Sequence, residues 1–349
     1  MSKNVGTVNL AKILQGNKRV IDDYIFKFLP KRNKIAEISL LYRMMRDYPA
    51  RAGKGLRSSL CLLTCEAFGG GAEKAIVTAS ALELFHNWIL IHDDLEDMSE
   101  MRRKQPVLHR KYGIPLAINA GDALHGRMWE LLLRNREVLG DAKTVEILHE
   151  IRRTVNETTE GQHMELTWVK ENRWDLSLEN YVEMCTKKTS WFTCISPCRT
   201  GAIIADAHPR DVEGLIEFGA NLGVAFQIQD DVLNLIGEEA KYGKEISGDI
   251  WEGKRTLVLI RLLKVCNGED RSLILSIMNK KREDKTTAEV REILNLMKKY
   301  GAIEYARRTA ERLTGRAKAS LSGLSRNFKD DEAKATLFAL VDFMVRRDW

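Results

Sequence analysis

The chain has 349 residues, of which 44% are apolar and 30% charged, and its formal net charge is +6. This composition indicates a soluble globular protein and excludes an intrinsically disordered one. The basic residues are dispersed among acids and form no concentrated stripe, which argues against a nucleic-acid partner and fits a small anionic substrate.

The cysteines and the N-terminal segment bear on the compartment. The six cysteines include no C-x-x-C pair, and we interpret them as reduced core residues rather than zinc ligands or a disulfide framework. The segment MSKNVGTVNLAKILQGNKRV has no signal-peptide apolar core, and no stretch reaches the ~18 apolar residues that a membrane span needs. We therefore expect a cytoplasmic protein without stable membrane insertion, and contact with a membrane surface stays open.

Apolar residues recur with the 3.6-residue period of an α-helix along the whole chain, and strand-like alternation is nearly absent. Only six prolines interrupt the pattern, so long helices are permitted. We predict one all-α domain over residues 1–349, with a helical extension over 1–34. The predicted helices span 8–29, 35–48, 55–68, 72–97, 114–138, 142–168, 178–205, 208–237, 254–266, 286–299, 301–323 and 329–347.

The helix that begins at residue 72 is apolar around most of its circumference and leads into the acidic run HDDLEDMSE. On a helix Asp93 and Asp97 share one face, and two carboxylates ~6 Å apart repel by roughly 3 kcal/mol at an effective dielectric of 20. The C-terminal end of the helix dipole also disfavours anions there. Exposure to solvent would relieve the repulsion, and a hard cation such as Mg²⁺ would relieve it directly. One D-D-x-x-D motif leaves both interpretations open.

A second predicted helix that is apolar around most of its circumference, over 215–229, leads into another polar cluster in FQIQDDVLNL. This cluster contains Gln227, Asp230, Asp231 and Asn234, with Asp230 and Asn234 one turn apart. Two such clusters at the ends of two core helices predict one cavity in which carboxylates face each other. Mg²⁺ ions between them would clamp a diphosphate.

Basic residues accompany both acidic clusters. Any one of them is more commonly a solvated surface charge, but their joint arrangement favours an anion site. Lys54 and Arg57 lie at the start of a predicted helix, which is a favourable place for an anion. The set consists of Lys54, Arg57, Arg102, Arg103, Lys188, Lys244 and Lys254.

These residues belong to seven stretches that together resemble the trans-type (head-to-tail) isoprenyl diphosphate synthases over roughly residues 35 to 345. The order and spacing of the stretches agree with that family, and the chain is most similar to short-chain geranylgeranyl diphosphate synthases of archaeal type. The resemblance implies an all-α isoprenoid-synthase fold around a deep central cavity, a homodimer, and two or three Mg²⁺ ions. The stretches are GKGLRSSL, ELFHNWILIHDDLEDMSEMRRKQPVLHRKYG, AINAGDAL, GQHMEL, KKTS, FQIQDDVLNLIG and GKEISGDIWEGKRT.

The resemblance also implies roles for single residues. Asp93, Asp94 and Asp97 would hold Mg²⁺ on the allylic diphosphate, and Asp230 would supply the facing ligand with Asn234 beside it. Thr189 and Gln227 would turn oxygen dipoles toward a developing carbocation. The allylic diphosphate would be contacted by Arg102, Lys188 and Lys254, with Lys244 a further substrate-binding residue, and isopentenyl diphosphate by Lys54, Arg57, His86 and Arg103.

His86 has a competing interpretation, since a lone histidine in an apolar helix is most often a hydrogen-bonded core residue. Its position seven residues before Asp93, on the same face, favours the ligand role. Three residues depart from the family pattern. Lys104 replaces a usual glycine, Asn234 replaces a carboxylate and so brings no charge, and Glu165 stands where many relatives have aspartate.

In this family the residues before the first acidic motif form the floor of the product tunnel. Trp88, Ile89 and Phe85 precede Asp93 by five, four and eight positions, which places them roughly 6 to 12 Å down the helix. Bulky side chains there would stop a growing chain early, and we expect geranylgeranyl diphosphate (C20), with farnesyl diphosphate (C15) or a longer product as alternatives. Trp88 lies ~140° around the helix from Asp93, so plain core packing also stays open.

Two other classes of protein share parts of this pattern. A class I terpene cyclase uses a similar metal site but needs no second diphosphate pocket, and Lys54, Arg57, His86 and Arg103 argue against it. A non-catalytic subunit of a heteromeric synthase would lose acidic ligands, and here they are kept.

Overall fold

The computed structural model describes residues 9–51, 53–237 and 246–345. Helices dominate these residues, and the all-α prediction is confirmed. The elements are α1 (Leu10–Phe28), α2 (Ala36–Ala50), α3 (Leu56–Ala67), α4 (Ala72–Glu96), β1 (Met101–Arg102), β2 (Gln105–Pro106), α5 (Leu108–Tyr112), α6 (Ile114–Leu133), α7 (Asn135–Leu139), α8 (Asp141–Lys170), α9 (Leu178–Cys185), a π-helix (Thr186–Ile195), α10 (Ser196–Ile204), α11 (Pro209–Ile236), α12 (Gly248–Glu252), α13 (Leu257–Val265), α14 (Gly268–Met278), a short 3₁₀ turn (Arg282–Asp284), α15 (Thr287–Lys299), α16 (Ala302–Leu324), a second 3₁₀ turn (Ser325–Asn327) and α17 (Asp331–Val345).

Most predicted helices are present, with differences that have local causes. The helix predicted over 254–266 begins later, because Thr256 adopts an extended conformation and caps α13 through the backbone N–H of Leu259. Helix α14 is missing from the sequence prediction. It begins with a glycine and buries only Ile274, Ile277 and Met278, so its periodic signal is short.

The segment after α4 forms a small hairpin that the helical pattern does not predict. Met101 pairs with Pro106 and Arg102 with Gln105, which leaves Arg103 and Lys104 as a two-residue turn. Both turn residues lie in the left-handed region, with φ of 52° and 62°. This is the geometry of a tight hairpin turn that favours glycine. This geometry accounts for the glycine that the resemblance implies at the position of Lys104.

Two helices carry the centre of the molecule. Helix α4 packs against α3 and α6, while α11 packs against α16 and the π-helix. Their buried side chains belong to two apolar clusters, and α3 contributes to both of them. The C-terminal ends of α4 and α11 carry the two acidic motifs, so the packing brings the motifs toward one space. Within the described ranges, no helix is both long and apolar enough to cross a membrane.

The π-helix lies close against its neighbours because glycines face it. A Cβ on Gly161 of α8 would lie 2.2 Å from the backbone nitrogen of Lys188, and one on Gly223 of α11 would lie 2.4 Å from the hydroxyl of Ser190. Such distances are impossible for a real side chain, so these positions require glycine. π-helical turns are rare and often occur at functional sites. This one carries Lys188 and Thr189.

Candidate active site

A cavity of about 620 Å³ opens between the ends of α4 and α11. Most predicted site residues line it, so the structure brings together stretches that lie far apart in the sequence. Asp97 lines an adjoining cavity instead, and Lys244 falls outside the described residues. The predicted residues on the wall are Lys54, Arg57, His86, Trp88, Ile89, Asp93, Arg102, Arg103, Lys188, Thr189, Gln227, Asp230 and Lys254.

Asp94, which the sequence predicts as a metal ligand together with Asp93 and Asp97, is bound by protein groups in the structure. Its side chain is fully buried, and both oxygens accept hydrogen bonds. The Tyr48 hydroxyl donates to Oδ2 at 2.5 Å, and Arg102 Nε donates at 2.9 Å to Oδ1 and 3.1 Å to Oδ2. Burial, with Asp94 beside it, raises the pKa of Tyr48. The geometry therefore gives Asp94 a supporting position in which it holds Arg102.

Arg102 and Arg103 are held by hydrogen bonds with the C-terminal end of α2 and with Arg51, which follows it. Arg51 donates to the carbonyls of Arg102 and Pro106 at 2.9 and 2.8 Å, so it binds both strands of the hairpin. Its guanidinium also lies 4.3 Å from the ring centroid of Tyr48. Burial opposes the charged form of Arg102, but Asp94 outweighs it and the pKa of Arg102 is raised. Tyr48 and Arg51 belong to no quoted motif, and the sequence analysis missed them.

Asp93 faces the cavity with two cations around it. Lys188 Nζ lies 3.3 Å from Asp93 Oδ1 and also pairs with Glu165, while Arg102 Nη2 lies 3.4 Å from Asp93 Oδ2. Burial opposes the charge of Lys188, but Glu165 and Asp93 outweigh it and raise its pKa. Burial likewise opposes the charge of Glu165, yet Lys188 and then Lys254 lower its pKa. Glu165 is therefore charged and holds Lys188 beside Asp93.

Asp97 contacts Lys254, which the sequence predicts to bind substrate. Lys254 donates to Asp97 Oδ2 at 2.6 Å and lies 3.1 Å from Glu252. Burial raises the pKa of Asp97 to about 7, with Lys254 acting in the opposite direction. If a metal cation took the place of the Lys254 ammonium group, the Asp97 carboxylate would already be oriented toward it.

The second acidic motif divides its residues between cavity and support. Asp230 lines the cavity. Asp231 is buried and accepts from Tyr181 at 2.7 Å and from Gln227 at 2.8 Å, and burial raises its pKa. Gln227 accepts from Thr189 at 2.9 Å. Since its carbonyl oxygen already accepts this bond, Gln227 has a fixed orientation on the wall.

Asn234, which is also predicted as a metal ligand, contacts backbone groups after α11. It is buried, and its side-chain oxygen accepts from the backbone nitrogen of Asp249 at 3.1 Å. Its own carbonyl accepts from the backbone nitrogen of Ser247 at 2.7 Å. The amide therefore joins α11 to the start of α12, a task that needs no charge.

The residues predicted to bind isopentenyl diphosphate all line the cavity. Arg57 donates to Thr193 at 2.9 Å, and its guanidinium lies 4.4 Å from the centroid of the Phe192 ring. Burial lowers the pKa of Arg57 to about 10, so it stays charged near neutral pH. His86 stacks on the same Phe192 ring, with centroids 6.0 Å apart.

The remaining cations of this group are held by backbone and aromatic contacts. Arg103 donates to the carbonyls of Tyr48 and Arg51 at 3.4 and 3.3 Å. A Cβ on Gly53 would lie 3.1 Å from Arg103 Nη2, so glycine permits this approach. Lys54 Nζ lies 5.6 Å from the ring centroid of Phe343.

The predicted tunnel floor is only partly on the wall. Trp88 and Ile89 line the cavity. Trp88 stacks on His125 with centroids 4.0 Å apart at 17°, and Trp129 Nε1 donates to His125 Nε2 at 2.9 Å. Phe85 is buried behind Trp88, with its ring 5.4 Å away. Phe85 is therefore a packing residue behind the wall, whereas Trp88 lines the cavity although its helical angle left plain packing open.

The carboxylates of the cavity fit a Mg²⁺ ion that is also bound by the phosphate groups of a ligand. In the part of the chain that the structure describes, no three His, Cys, Asp or Glu side chains surround a single point. Mg²⁺ is usually bound through one or two carboxylates, with water and substrate phosphates completing the shell. Asp93 and Asp230 on one cavity wall, with Asp97 next to it, supply carboxylates of that kind.

Comparisons with known proteins agree with the sequence motifs. A family described as polyprenyl synthetase matches residues 38–297. A geranylgeranyl diphosphate synthase of Sulfolobus acidocaldarius is 33% identical over 336 residues, which cover 96% of this chain and 97% of the relative. The structure of a geranylgeranyl pyrophosphate synthetase of Pyrococcus horikoshii superposes with a TM-score of 0.84 at 34% identity, covering 97% of this chain and 98% of the other. A polyprenyl synthase of Caulobacter crescentus, complexed with calcium and isoprenyl diphosphate, gives 0.86 at 25% identity over 100% of both chains.

Proposed function

The chain belongs to the polyprenyl synthetase family, and on that premise we propose that its cavity joins isopentenyl diphosphate to an allylic diphosphate. It is a trans-prenyltransferase with the isoprenoid-synthase fold. We propose geranylgeranyl diphosphate as the product, which the relative from Sulfolobus acidocaldarius supports by its name.

One observation supports this reaction above the alternatives. The cavity is lined by Asp93 and Asp230 from the two acidic motifs and also by Lys54, Arg57 and Arg103, cations beyond those that pair with Asp93 and Asp97. A terpene cyclase has no use for a second diphosphate pocket. A non-catalytic subunit has no use for Asp93 and Asp230 on the wall.

The reaction begins when the allylic C–O bond breaks and the diphosphate leaves with the bonding electron pair. Mg²⁺ bound to Asp93, Asp97 and Asp230 would neutralise charge on that leaving group. Lys188 and Lys254 stay protonated in the cavity and contribute further positive charge to it. Their carboxylate partners hold both ammonium groups in place, so little reorganisation is needed as the charge develops.

The second half of the reaction forms the new C–C bond. Arg57, Arg103, Lys54 and His86 would hold isopentenyl diphosphate, so that its double bond attacks the allylic cation. The hydrogen-bonded pair Thr189 and Gln227 lines the cavity, and its oxygen atoms would face that cation. Loss of one proton then completes the addition of a five-carbon unit.

Incubation with Mg²⁺, labelled isopentenyl diphosphate and, in turn, dimethylallyl, geranyl and farnesyl diphosphate tests the proposal. We expect an acyclic, elongated diphosphate that ends at C20. A cyclic hydrocarbon would show a cyclase, and no turnover with any acceptor would show a non-catalytic subunit. Light scattering on the same preparation tests the proposed homodimer, which would have twice the 39.8 kDa mass of the chain. The cytoplasmic location stays a prediction.

A further inference from the structure

A second cavity of about 880 Å³ adjoins the first one. We call it the vestibule. One of its walls consists of the segment that joins α14 to α15, which contains Lys280, Lys281, Arg282 and Lys285. The sequence analysis gave this basic segment no role. The vestibule shares Glu96, Glu165, Leu166, Lys254 and Arg255 with the catalytic cavity, so the two spaces are in contact.

Two cations in the vestibule are buried, with only 2% of Arg255 and 7% of Lys285 exposed. Arg255 donates to the carbonyl of Arg173 at 3.2 Å, to Asn172 Oδ1 at 3.3 Å and to the carbonyl of Gly253. Lys285 donates to the carbonyl of Trp251 at 2.8 Å. Among the described residues, neither cation forms an ion pair with a carboxylate. The Arg255 guanidinium also lies 3.8 Å from the centroid of the Trp174 ring, a cation–π contact that offsets part of the cost of its burial. Burial of the Lys285 ammonium group without an opposite charge in contact is costly.

The same two cations approach one small space. A Cβ on Gly253 would lie 3.5 Å from Arg255 Nη1, 3.8 Å from Lys285 Nζ and 3.9 Å from the carbonyl oxygen of Met278, so both cations and one carbonyl face the position beside this glycine. Lys285 uses one of its three N–H donors on Trp251. Burial, followed by Arg255 and Arg282, lowers the pKa of Lys285 to about 8.

Glu252 and Glu289 act to raise the pKa of Lys285, but burial outweighs them. Glu252 lies 3.1 Å from Lys254 and 3.7 Å from Arg282, so a single carboxylate is shared by two other cations. Lys254 pairs in addition with Asp97. An anion between Arg255 and Lys285 would therefore receive a planar guanidinium and an ammonium group with donors to spare, the combination that suits phosphate oxygens.

We propose that the vestibule is a second anion site, which binds a diphosphate group outside the catalytic cavity with Arg255 and Lys285 as its ligands. Its shared wall at Lys254 makes the vestibule a stopping point for a diphosphate that arrives at, or leaves, the catalytic cavity. This role in turnover rests on the proposed function, whereas the anion site itself does not.

The site is tested by calorimetric titration with inorganic diphosphate, in low salt and with a chelator present so that no divalent cation contributes. Lys285→Gln is the decisive variant, because the glutamine amide can still donate to the Trp251 carbonyl while the charge is lost. We expect about tenfold weaker binding, since a hydrogen bond to a charged group is removed. Lys299→Gln removes a lysine charge from nearby α15, where it pairs with Asp270 at 2.8 Å, and should bind as the wild type does.

Three results would overturn the proposal. These are unchanged binding in Lys285→Gln, equal weakening in Lys299→Gln, and binding that is lost in Lys188→Gln but not in Lys285→Gln. The last result would place the anion in the catalytic cavity alone. Circular dichroism checks that each variant is folded.

A parallel titration with isopentenyl diphosphate distinguishes the source of the anion. A greater Lys285 dependence for isopentenyl diphosphate assigns the vestibule to arriving substrate, and a greater dependence for inorganic diphosphate assigns it to the released product. Failure of the two proposals is separable. A Lys285-dependent site without turnover contradicts the proposed function alone, whereas turnover without such a site contradicts the vestibule alone.

Discussion

The two neighbouring acids Asp93 and Asp94 have different tasks because their side chains point to different surroundings. Asp93 lies on the cavity wall, whereas Asp94 is enclosed by Tyr48 and Arg102. The second motif repeats the division, with Asp230 on the wall and Asp231 bound to Tyr181. In each motif a tyrosine hydroxyl thus fixes the inner carboxylate, and the outer carboxylate is left to face a ligand.

Tyr48→Phe tests this arrangement at the first motif. The variant lacks the hydrogen bond that the Tyr48 hydroxyl donates to the buried Asp94 carboxylate. We therefore expect the free energy of unfolding to fall by about 1.5–3 kcal/mol. Because Asp94 positions Arg102 beside Asp93, turnover should fall by about tenfold or more. Urea unfolding and steady-state kinetics measure the two effects.

Tyr300→Phe is the matched control for that variant. Tyr300 donates to Asp270 at 2.6 Å, far from the cavity residues, and Lys299 also pairs with this aspartate. Its loss should leave turnover unchanged. Equal turnover in Tyr48→Phe and the wild type would contradict the supporting role of Asp94.

At the scale of elements, the irregular segments position the site. The hairpin at residues 101–106 places Arg102 and Arg103 against α2, and the π-helix places Lys188 and Thr189 against α8 and α11. Helical periodicity predicts neither segment. The hairpin is short, and a π-helical turn differs from an α-helix by hydrogen-bond register rather than by apolar pattern.

Lys104→Gly tests the strain in the hairpin. Lys104 has a φ of 62°, a conformation that costs an L-residue roughly 1–2 kcal/mol and glycine almost nothing. We expect thermal unfolding of the variant to show a stability gain of about 1 kcal/mol. The control is Lys281→Gly at a φ of −65°, where glycine should destabilise the protein. A loss of stability in Lys104→Gly would show that the lysine side chain makes a stabilising contact that exceeds the strain.

At the scale of the whole molecule, the sequence predicts what depends on local spacing. The acidic motifs, their cations and the helices that carry them follow from periodicity and residue type. Most of those residues line the same cavity. The contacts that fix them were not predictable in this way. Tyr48 meets Asp94 across 46 positions and Arg57 meets Thr193 across 136, and no local pattern encodes such pairs. The supporting position of Asp94 depends on such a distant partner, Tyr48.

The depth of the cavity relates the whole fold to the product, and Trp88→Ala tests this relation. The Trp88 indole stacks on His125 of α6. Trp88 lies about 7.5 Å along α4 from Asp93. Removing the ring deepens the cavity between α4 and α6, so product chromatography should show chains at least one five-carbon unit longer than those of the wild type. Phe85→Leu keeps an apolar side chain behind the wall and should leave product length unchanged. If Trp88→Ala gave wild-type products while Phe85→Leu lengthened them, the floor would lie at the buried ring, and the stack of Trp88 on His125 would serve packing alone.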